Sequence, residues 1–506
     1  MSVLKDGREF DLVTELLGSK PFDSSDKIAI YCGDRRITYG ELNTNINRFA
    51  NVLKELGIEA GDRVLIVAPD TPEFVYSFLG SMRHGACPVP VNTMLTEDDY
   101  YYLLNDSGAR LLVTTSGSLA SKVEPASGVI KKIFLDQDFD HMLQTASSQP
   151  RQFPKKPDEI AFWLYSSGST GKPKGTQHKQ ISMLHTADSY AKNILQISAK
   201  DICFSVSKMF FAYGLGNSIS FPFRFGASTV LLSTPPTPES VMETILTFKP
   251  SLFFGVPTQY NSVLKKMNGA KFDSIRYCVS AGEALPPEVW NKWREKTGLE
   301  ILDGIGSTEA LHIFISNRPG EALPGSSGKL VPGYEAMIVD DDGKPALPGD
   351  TGHLIIRGES LTKGYWNKPE ENASRIMSDG WFRTGDMYSL RDGYFVYEGR
   401  GDDMLKAGGL WVSPMEIEHK LMEHESIHEC AVVGHEVEGL VKPFAYAVLN
   451  EGWDKKPQEE LEKILMEFLS DKLPKFKRPW GIRFVQDLPK TATGKIQRFK
   501  LRIKTT

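Results

Sequence analysis

Between Asp62 and Ser116 the chain repeats one pattern, strand then helix then strand, and this repetition limits the fold more than any other feature. "RVLIVAP" is a short β-branched run, "TPEFVYSFLGSMRHG" carries apolar residues at helical spacing, "CPVPVN" is extended and "ARLLVTT" is a further strand. Such alternation predicts βαβ units and a largely parallel sheet. A second set of apolar strands is read in "EIAFWLYSSG", "STVLLS", "PSLFFGVPT", "IRYCVSAGE" and "LEILDGIGSTE". Most end in Gly, Ser or Thr, and parallel α/β sheets bind ligands at the carboxyl ends of their strands. The strand "IAFWL" is therefore expected to deliver the loop after it to the edge of this sheet.

After about Gly328 the texture changes. "GYEAMIVDDDGKPALPGDTGHLIIRG" and "GWFRTGDMYSLRDGYFVYEGR" read as hairpins with Asp-Gly turns, so this part is predicted to be antiparallel. Beyond Arg400 a small α+β unit follows: helix "SPMEIEHKLMEH", strands "ECAVVGH" and "PFAYAVLN", helix "QEELEKILMEFLSDKL" and strand "GIRFVQDLP". The predicted fold class is α/β. A large N-terminal domain, 1–400, has βαβ subdomains to about 328 and a small antiparallel β part over 329–400, and a C-terminal α+β domain covers 401–506. The polar, glycine-rich "GRGDDMLKAGG" at 399–409 is the expected linker. A length of 506 residues agrees with several units, at roughly 100 to 200 residues per domain.

Charge and composition remove several function classes. Lys and Arg number 59 against 64 Asp and Glu, with no long basic run, which argues against a nucleic-acid partner. The N-terminus carries charges within its first ten residues and no apolar segment of signal-peptide length. No apolar run approaches the ~20 residues that span a bilayer, so a cytoplasmic protein with no membrane partner is expected. The five cysteines are scattered and never spaced as CxxC, as expected of reduced, buried thiols.

The stretch "LYSSGSTGKPKG", residues 164–175, raises the question of chemistry. A P-loop needs GxxxxGK followed by Ser or Thr, but here Gly168 and Gly171 stand three apart and Lys172 precedes Pro173. The Walker reading fails, yet phosphate chemistry does not. Ser166, Ser167, Ser169 and Thr170 offer hydroxyls, the glycines let backbone N–H groups face an anion, and Lys174 adds a mobile charge. A flexible surface loop has the same composition, so the stretch alone leaves both readings open.

Four further stretches follow in order: "DGIGSTE" at 303–309, "WFRTGD" at 381–386, "GRGDDMLKAGG" at 399–409 and "LPKTATGKIQR" at 488–498. Together with the loop this set resembles the adenylate-forming superfamily of acyl-CoA synthetases, luciferases and peptide-synthetase adenylation domains, over nearly the whole chain. "KMFFAYGLGNS" at 208–218 and "DGIGSTEALHIFISNRPG" are most similar to the benzoate-CoA ligase branch and its anthranilate-activating relatives. Elsewhere in the superfamily a histidine often stands where this chain has Phe211.

The resemblance implies roles position by position. The loop Ser166–Gly171, with Lys174, would hold the β- and γ-phosphates of ATP. Glu309, with Thr170, would bind Mg2+, a hard cation suited to oxygen ligands. Asp386 would accept hydrogen bonds from the ribose hydroxyls, with Arg400 beside it, since an ionised carboxylate is acceptor-only. Adenine would lie against Gly282, Glu283, Asp303, Gly304 and Ile305, near Ser307 and Thr308. Lys495 would be the catalytic cation that bridges the acid's carboxylate and the α-phosphate and offsets their repulsion. Thr170, Lys174 and Glu309 complete the implied catalytic set.

The same resemblance makes Asp402 the hinge of a mobile C-terminal domain, with Asp403 its near neighbour. Rotation would withdraw Lys495 and present the loop Lys406 to Gly409, including Gly408, to the thiol arm of coenzyme A. Phe476 and Arg478 in "KFKRPW" resemble residues that meet the CoA nucleotide. The acyl pocket is expected from Phe210, Ala212, Tyr213, Gly214, Gly282, Ile305, Gly306 and His312. Aromatics separated by small residues make a short flat slot, which suits a planar ring. His312 would hydrogen-bond an ortho substituent or the carboxylate, or would be a satisfied core histidine. The implied reaction joins a small aromatic acid to CoA through an acyl adenylate. A carrier-protein phosphopantetheine is the alternative acceptor, another small carboxylic acid the alternative substrate. A monomer and a homodimer fit equally.

Overall fold

A computed structural model describes residues 8–18, 25–127, 131–166, 172–267, 269, 271–407, 410–437, 440–490 and 496–502. The first βαβ run forms a four-stranded, wholly parallel sheet in the order Cys87–Pro90, Arg63–Val67, Leu111–Thr114, Lys131–Phe134. The helix Pro72–His84 begins on a proline and ends at Gly85, whose φ of 92° returns the chain directly into Cys87–Pro90. That ending is why the predicted helix and strand meet with almost no loop.

A nine-stranded sheet carries the second set of strands. Its order is Lys329–Leu330, Ile313–Ser316, Ile301–Gly306, Tyr277–Ser280, Leu252–Gly255, Ile202–Ser205, Ser228–Val230, Ile28–Cys32, Arg35–Thr38. The six strands from Ile301–Gly306 to Ile28–Cys32 pair in parallel, and antiparallel pairs close both edges. The carboxyl ends of the parallel strands therefore share one rim.

One expectation is corrected. Ile160–Ser166 is not in the parallel sheet; it pairs antiparallel with Lys174–Lys179, whose other neighbour is Gly364–Tyr365. Its inner residues Ala161, Phe162, Trp163 and Leu164 are all buried, and a strand covered on both faces reads the same whichever way its partner runs. Ser166 therefore does not stand at the exit of a parallel strand.

The antiparallel expectation holds: Tyr334–Val339, Gly352–Gly358, Phe382–Arg391 and Tyr394–Arg400 form a meander in that order. Asp392 and Gly393 take φ values of 51° and 81°, so both central residues of the tight turn are left-handed, as Asp-Gly permits. The polar run at 399–409 is not one loop, because Gly399 and Arg400 belong to the last strand and Leu405–Ala407 begins another. Only Gly401 to Met404 connects them.

The C-terminal domain packs the helices Pro414–Met422 and Gln458–Ser470 against Ile427–Val437, Leu440–Leu449 and Ile482–Phe484. Arg498 grips buried Glu418 through both carboxylate oxygens, at 2.8 and 2.9 Å. All five cysteines are free and buried. Among the described residues no helix is long and apolar enough to cross a membrane.

Candidate active site

The residues on either side of 167–171 are anchored. The Tyr165 hydroxyl donates to Asp106 Oδ2 at 2.7 Å, and the Tyr102 hydroxyl donates to the Pro173 carbonyl at 2.9 Å. Lys172 lies 5.2 Å above the Tyr102 ring. Ser166 faces Lys174 across the ladder and accepts from the Thr176 hydroxyl at 3.3 Å. Ser167, Gly168, Ser169, Thr170 and Gly171 lie outside the described residues. Lys174 is buried and held: its ammonium is 3.4 Å from Glu371 and 5.5 Å from the centroid of Tyr365.

Tyr365 connects this lysine to the next element. Its hydroxyl donates to Glu309 Oε1 at 2.8 Å, and the Thr362 N–H donates to the Glu309 carbonyl at 2.7 Å. Burial, together with the Glu309 charge, pushes the Tyr365 phenol well up, so it stays a donor. Between Glu309 and the pocket the chain turns tightly. Ser307 Oγ accepts from the Ala310 N–H at 3.1 Å, and Leu311 is held at φ 67°, an unfavourable conformation for a bulky residue, immediately before His312.

Asp386 and Arg400 are paired residues of neighbouring strands, with Arg400 Nη1 donating to Asp386 Oδ1 at 2.9 Å. Burial raises the Asp386 carboxyl despite this partner, and Glu309 is near enough to add to the rise. The Asp386 charge in turn raises the Arg400 guanidinium. A second guanidinium lies alongside. At Gly385, φ 82°, a Cβ would sit 2.4 Å from Arg375 Nη1 and 3.1 Å from Arg400 Nη2. Two guanidiniums thus crowd one glycine.

The predicted adenine contacts lie on the common rim. Gly282 adopts φ 93° just beyond Tyr277–Ser280, a conformation that calls for glycine, and Ser280 pairs with Asp303 in the next strand. Gly304 and Gly306 allow close approach, since a Cβ would meet carbonyl oxygens at 2.7 and 2.6 Å. Burial pushes the Asp303 carboxyl up to about 8, and its Oδ1 has no hydrogen-bond partner.

Of the predicted acyl residues, His312 and Tyr213 are packed together in a cluster of aromatic rings completed by Phe221 and Tyr190. His312 lies 4.3 Å from Phe221, 5.4 Å from Tyr213 and 5.6 Å from Tyr190, centroid to centroid. It is 2% exposed, and burial pushes its imidazole down to about 3, so it is neutral. Its Nε2 meets Asn217 Oδ1 at 3.1 Å, while Asn217 Nδ2 donates to Ser205 Oγ at 3.3 Å. The Asn217 oxygen therefore accepts, which makes Nε2 the protonated nitrogen; Nδ1 has no hydrogen-bond partner. Tyr213 is fixed by donating to the Val279 carbonyl at 3.1 Å. Phe210 is buried edge-on against Phe211 at 4.7 Å, and Ala212 is buried next to them.

In the C-terminal domain, Asp402 is exposed and accepts from Arg502 Nη2 through its carbonyl at 2.8 Å; the same guanidinium is 2.6 Å from Asp403 Oδ1. Lys406 lies in Leu405–Ala407, which pairs with Leu410–Val412, and Gly408 and Gly409 fall outside the described residues. So does Lys495, between the bridged residues Lys490 and Ile496. Phe476 lies in the short helix Lys475–Lys477. Arg478 is engaged, donating to the Leu473 and Ser470 carbonyls at 2.8 and 2.7 Å, where it caps the helix Gln458–Ser470.

Tyr365, Arg375 and Asn217 are site residues that the sequence reading does not find. "KGYWN" and "ENASR" carry no charge pattern or spacing that announces chemistry; only the pairing of Gly364–Tyr365 onto the lysine strand brings Tyr365 to Glu309.

Lys174, Glu309, Asp386 and Arg400, acids and cations tied together through Tyr365 and the Asp386–Arg400 pair, suit an enzyme that handles a nucleotide. Residues 22–366 match the sequence profile of the AMP-binding enzymes, and 416–495 match that of the AMP-binding enzyme C-terminal domain. The chain belongs to this family. Benzoate–CoA ligase of Thauera aromatica is 44% identical, over 99% of this chain and 97% of its own. A benzoate CoA ligase structure from Burkholderia xenovorans LB400 superposes with a TM-score of 0.90 at 41% identity, covering 98% of this chain and all of that one. The structure of the anthranilate CoA ligase AuaEII with anthranoyl-AMP gives 0.90 at 38% identity, covering 97% and 96%. Within the family, then, the chain stands on the aryl acid–thiol ligase branch.

Proposed function

We propose that this protein is an ATP-dependent aryl-CoA ligase that converts a benzoate- or anthranilate-type acid to its acyl adenylate with loss of pyrophosphate, then to the CoA thioester with loss of AMP. The observation that carries the reading is the cluster of aromatic rings around neutral His312, formed by Tyr190, Tyr213 and Phe221, whose planar faces suit a flat ring.

Asp386 orients the ribose, residues 166–171 with Lys174 take the leaving pyrophosphate, and Arg400 and Arg375 offset the phosphate charge. The donor set fits Mg2+ carried in on the nucleotide. No cluster of three ligating side chains occurs among the described residues, and a single carboxylate, Glu309, suits a cation that keeps phosphate and water oxygens. Bound there, Mg2+ would neutralise phosphate charge. Lys495 bridges the attacking carboxylate and the α-phosphate. Residues 1–400 and 401–506 act as the two domains, and rotation near Asp402 replaces Lys495 with residues 406–409 for thiol attack while water stays excluded.

The test is thioester formation from acid, ATP and Mg2+ with free CoA or with a phosphopantetheinylated carrier protein as acceptor. Aryl-CoA is the expected product; a thioester on the carrier alone would reassign the acceptor.

A further inference from the structure

We infer that Asp70 is a positioning residue for the aryl-acid pocket: its carboxylate crosses from the four-stranded sheet and holds the backbone of the turn that presents Phe210. This rests on the aryl-acid reading above. Asp70 follows the strand Arg63–Val67 and precedes the helix Pro72–His84, so it belongs to a different sheet from every pocket residue. It is 2% exposed, and its Oδ1 accepts from the Met209 N–H at 3.1 Å. Met209 is completely buried and sits in the turn Lys208–Phe211, which the Phe211 N–H closes onto the Lys208 carbonyl at 3.0 Å.

The turn is gripped from its other sides as well. Lys208 Nζ donates to the Leu232 and Thr234 carbonyls at 2.5 and 2.9 Å. Gly214 backs the turn so closely that a Cβ would lie 2.2 Å from the Lys208 carbonyl oxygen. The Asp70 carboxylate adds a polar tie from the turn to the neighbouring sheet, beside the apolar packing of Met209 and Ala212 in the core that the two share. A buried carboxylate is an unfavourable element for stability even with the Met209 N–H and the Lys208 charge acting on it, and its retention here accords with a role at the pocket.

The groups that act on this carboxylate are few. Lys208 favours its charged form, as does the Met209 N–H, while burial opposes it and raises the group to about 6. The Cys32 thiol beside it is neutral, pushed up by burial, and lies near Arg35 and Glu73, which neutralise each other at 2.6 Å. As pH falls through about 6, Asp70 takes a proton and exchanges a charge-assisted hydrogen bond for one about half as strong. The aryl acid's own carboxyl, if it resembles Asp or Glu, titrates near 4 and would remain ionised.

The experiment measures initial rates of acid-dependent pyrophosphate release from pH 5 to 8 for the wild type, Asp70→Asn and Asp70→Ala. Leaving the Met209 N–H without a partner should raise KM for the aryl acid about fivefold or more in Asp70→Ala, with KM for ATP within about twofold. Asp70→Asn keeps an acceptor and should fall between. In the wild type KM for the acid should rise as pH falls from 7 to 5, and in Asp70→Asn that limb should vanish. An equal effect on both substrates, no effect on either, or a limb that survives in Asp70→Asn would overturn the assignment. Should Asp70→Ala fail to fold, the wild-type and Asp70→Asn profiles decide. A wild type that releases no pyrophosphate with any aryl acid fails at the prior step and removes the substrate reading together with this one.

Discussion

Tyr365→Phe isolates one hydrogen bond. The ring stays, so the Lys174 ammonium keeps its face at 5.5 Å, and the backbone ladder to Thr176 is untouched. What is lost is the 2.8 Å bond to Glu309 Oε1, in a site where the tyrosine is 6% exposed and water does not readily replace it. A hydrogen bond to a charged group contributes about 1.5–3 kcal/mol, which is roughly a factor of 10 to 150 in rate. Because Glu309 is proposed to act on the ATP half of the reaction, kcat/KM for ATP should fall by about that factor in a pyrophosphate-release assay. Thioester formation from supplied acyl adenylate should be unchanged. A loss below about threefold, or the same loss in both half-reactions, would show that the bond only supports the fold.

Lys495→Ala should abolish adenylate formation while sparing thioester formation from supplied acyl adenylate, and equal loss of both would refute the assigned role. Asp386→Asn keeps the bulk but replaces one acceptor oxygen with a donor, so KM for ATP should rise by about tenfold or more while KM for the acid is little changed; ATP titration by calorimetry checks this. Asp303, raised to about 8 when folded, holds a proton that the unfolded chain gives up near 4. Its contribution to stability is therefore complete below about 4 and is lost as pH rises through 8. Asp303→Asn should lack that loss, so its melting temperature should gain on the wild type between pH 5 and 8; a constant difference would refute the buried-acid assignment.

What could be read from the sequence, and what could not, follows the range of each signal. The helix Pro72–His84 and its flanking strands are local: apolar period, proline start and glycine stop all lie within one stretch. The Asp392-Gly393 turn is equally local. By contrast, nothing in "IAFWL" states that its partner is Lys174–Lys179 and runs the other way, because strand direction is set by pairing and not by composition. The strand Ile202–Ser205, at the middle of the large sheet, is too short to stand out in "DICFSVS". Motif residues such as Asp386 and Arg400 were legible and are found 2.9 Å apart. Arg478 illustrates the opposite outcome, since a short basic motif does not reveal that the guanidinium is engaged as a helix cap. Asp70 and Tyr365 reach the site only through contacts between separate sheets.

The aromatic cluster around His312 is proposed to select a planar aromatic acid. Pyrophosphate release measured over a panel of substituted benzoates, anthranilate, cinnamates and short fatty acids tests it most directly. Benzoate or an ortho- or hydroxy-substituted benzoate should give the highest kcat/KM, with fatty acids far below; a preference for a fatty acid would contradict the account.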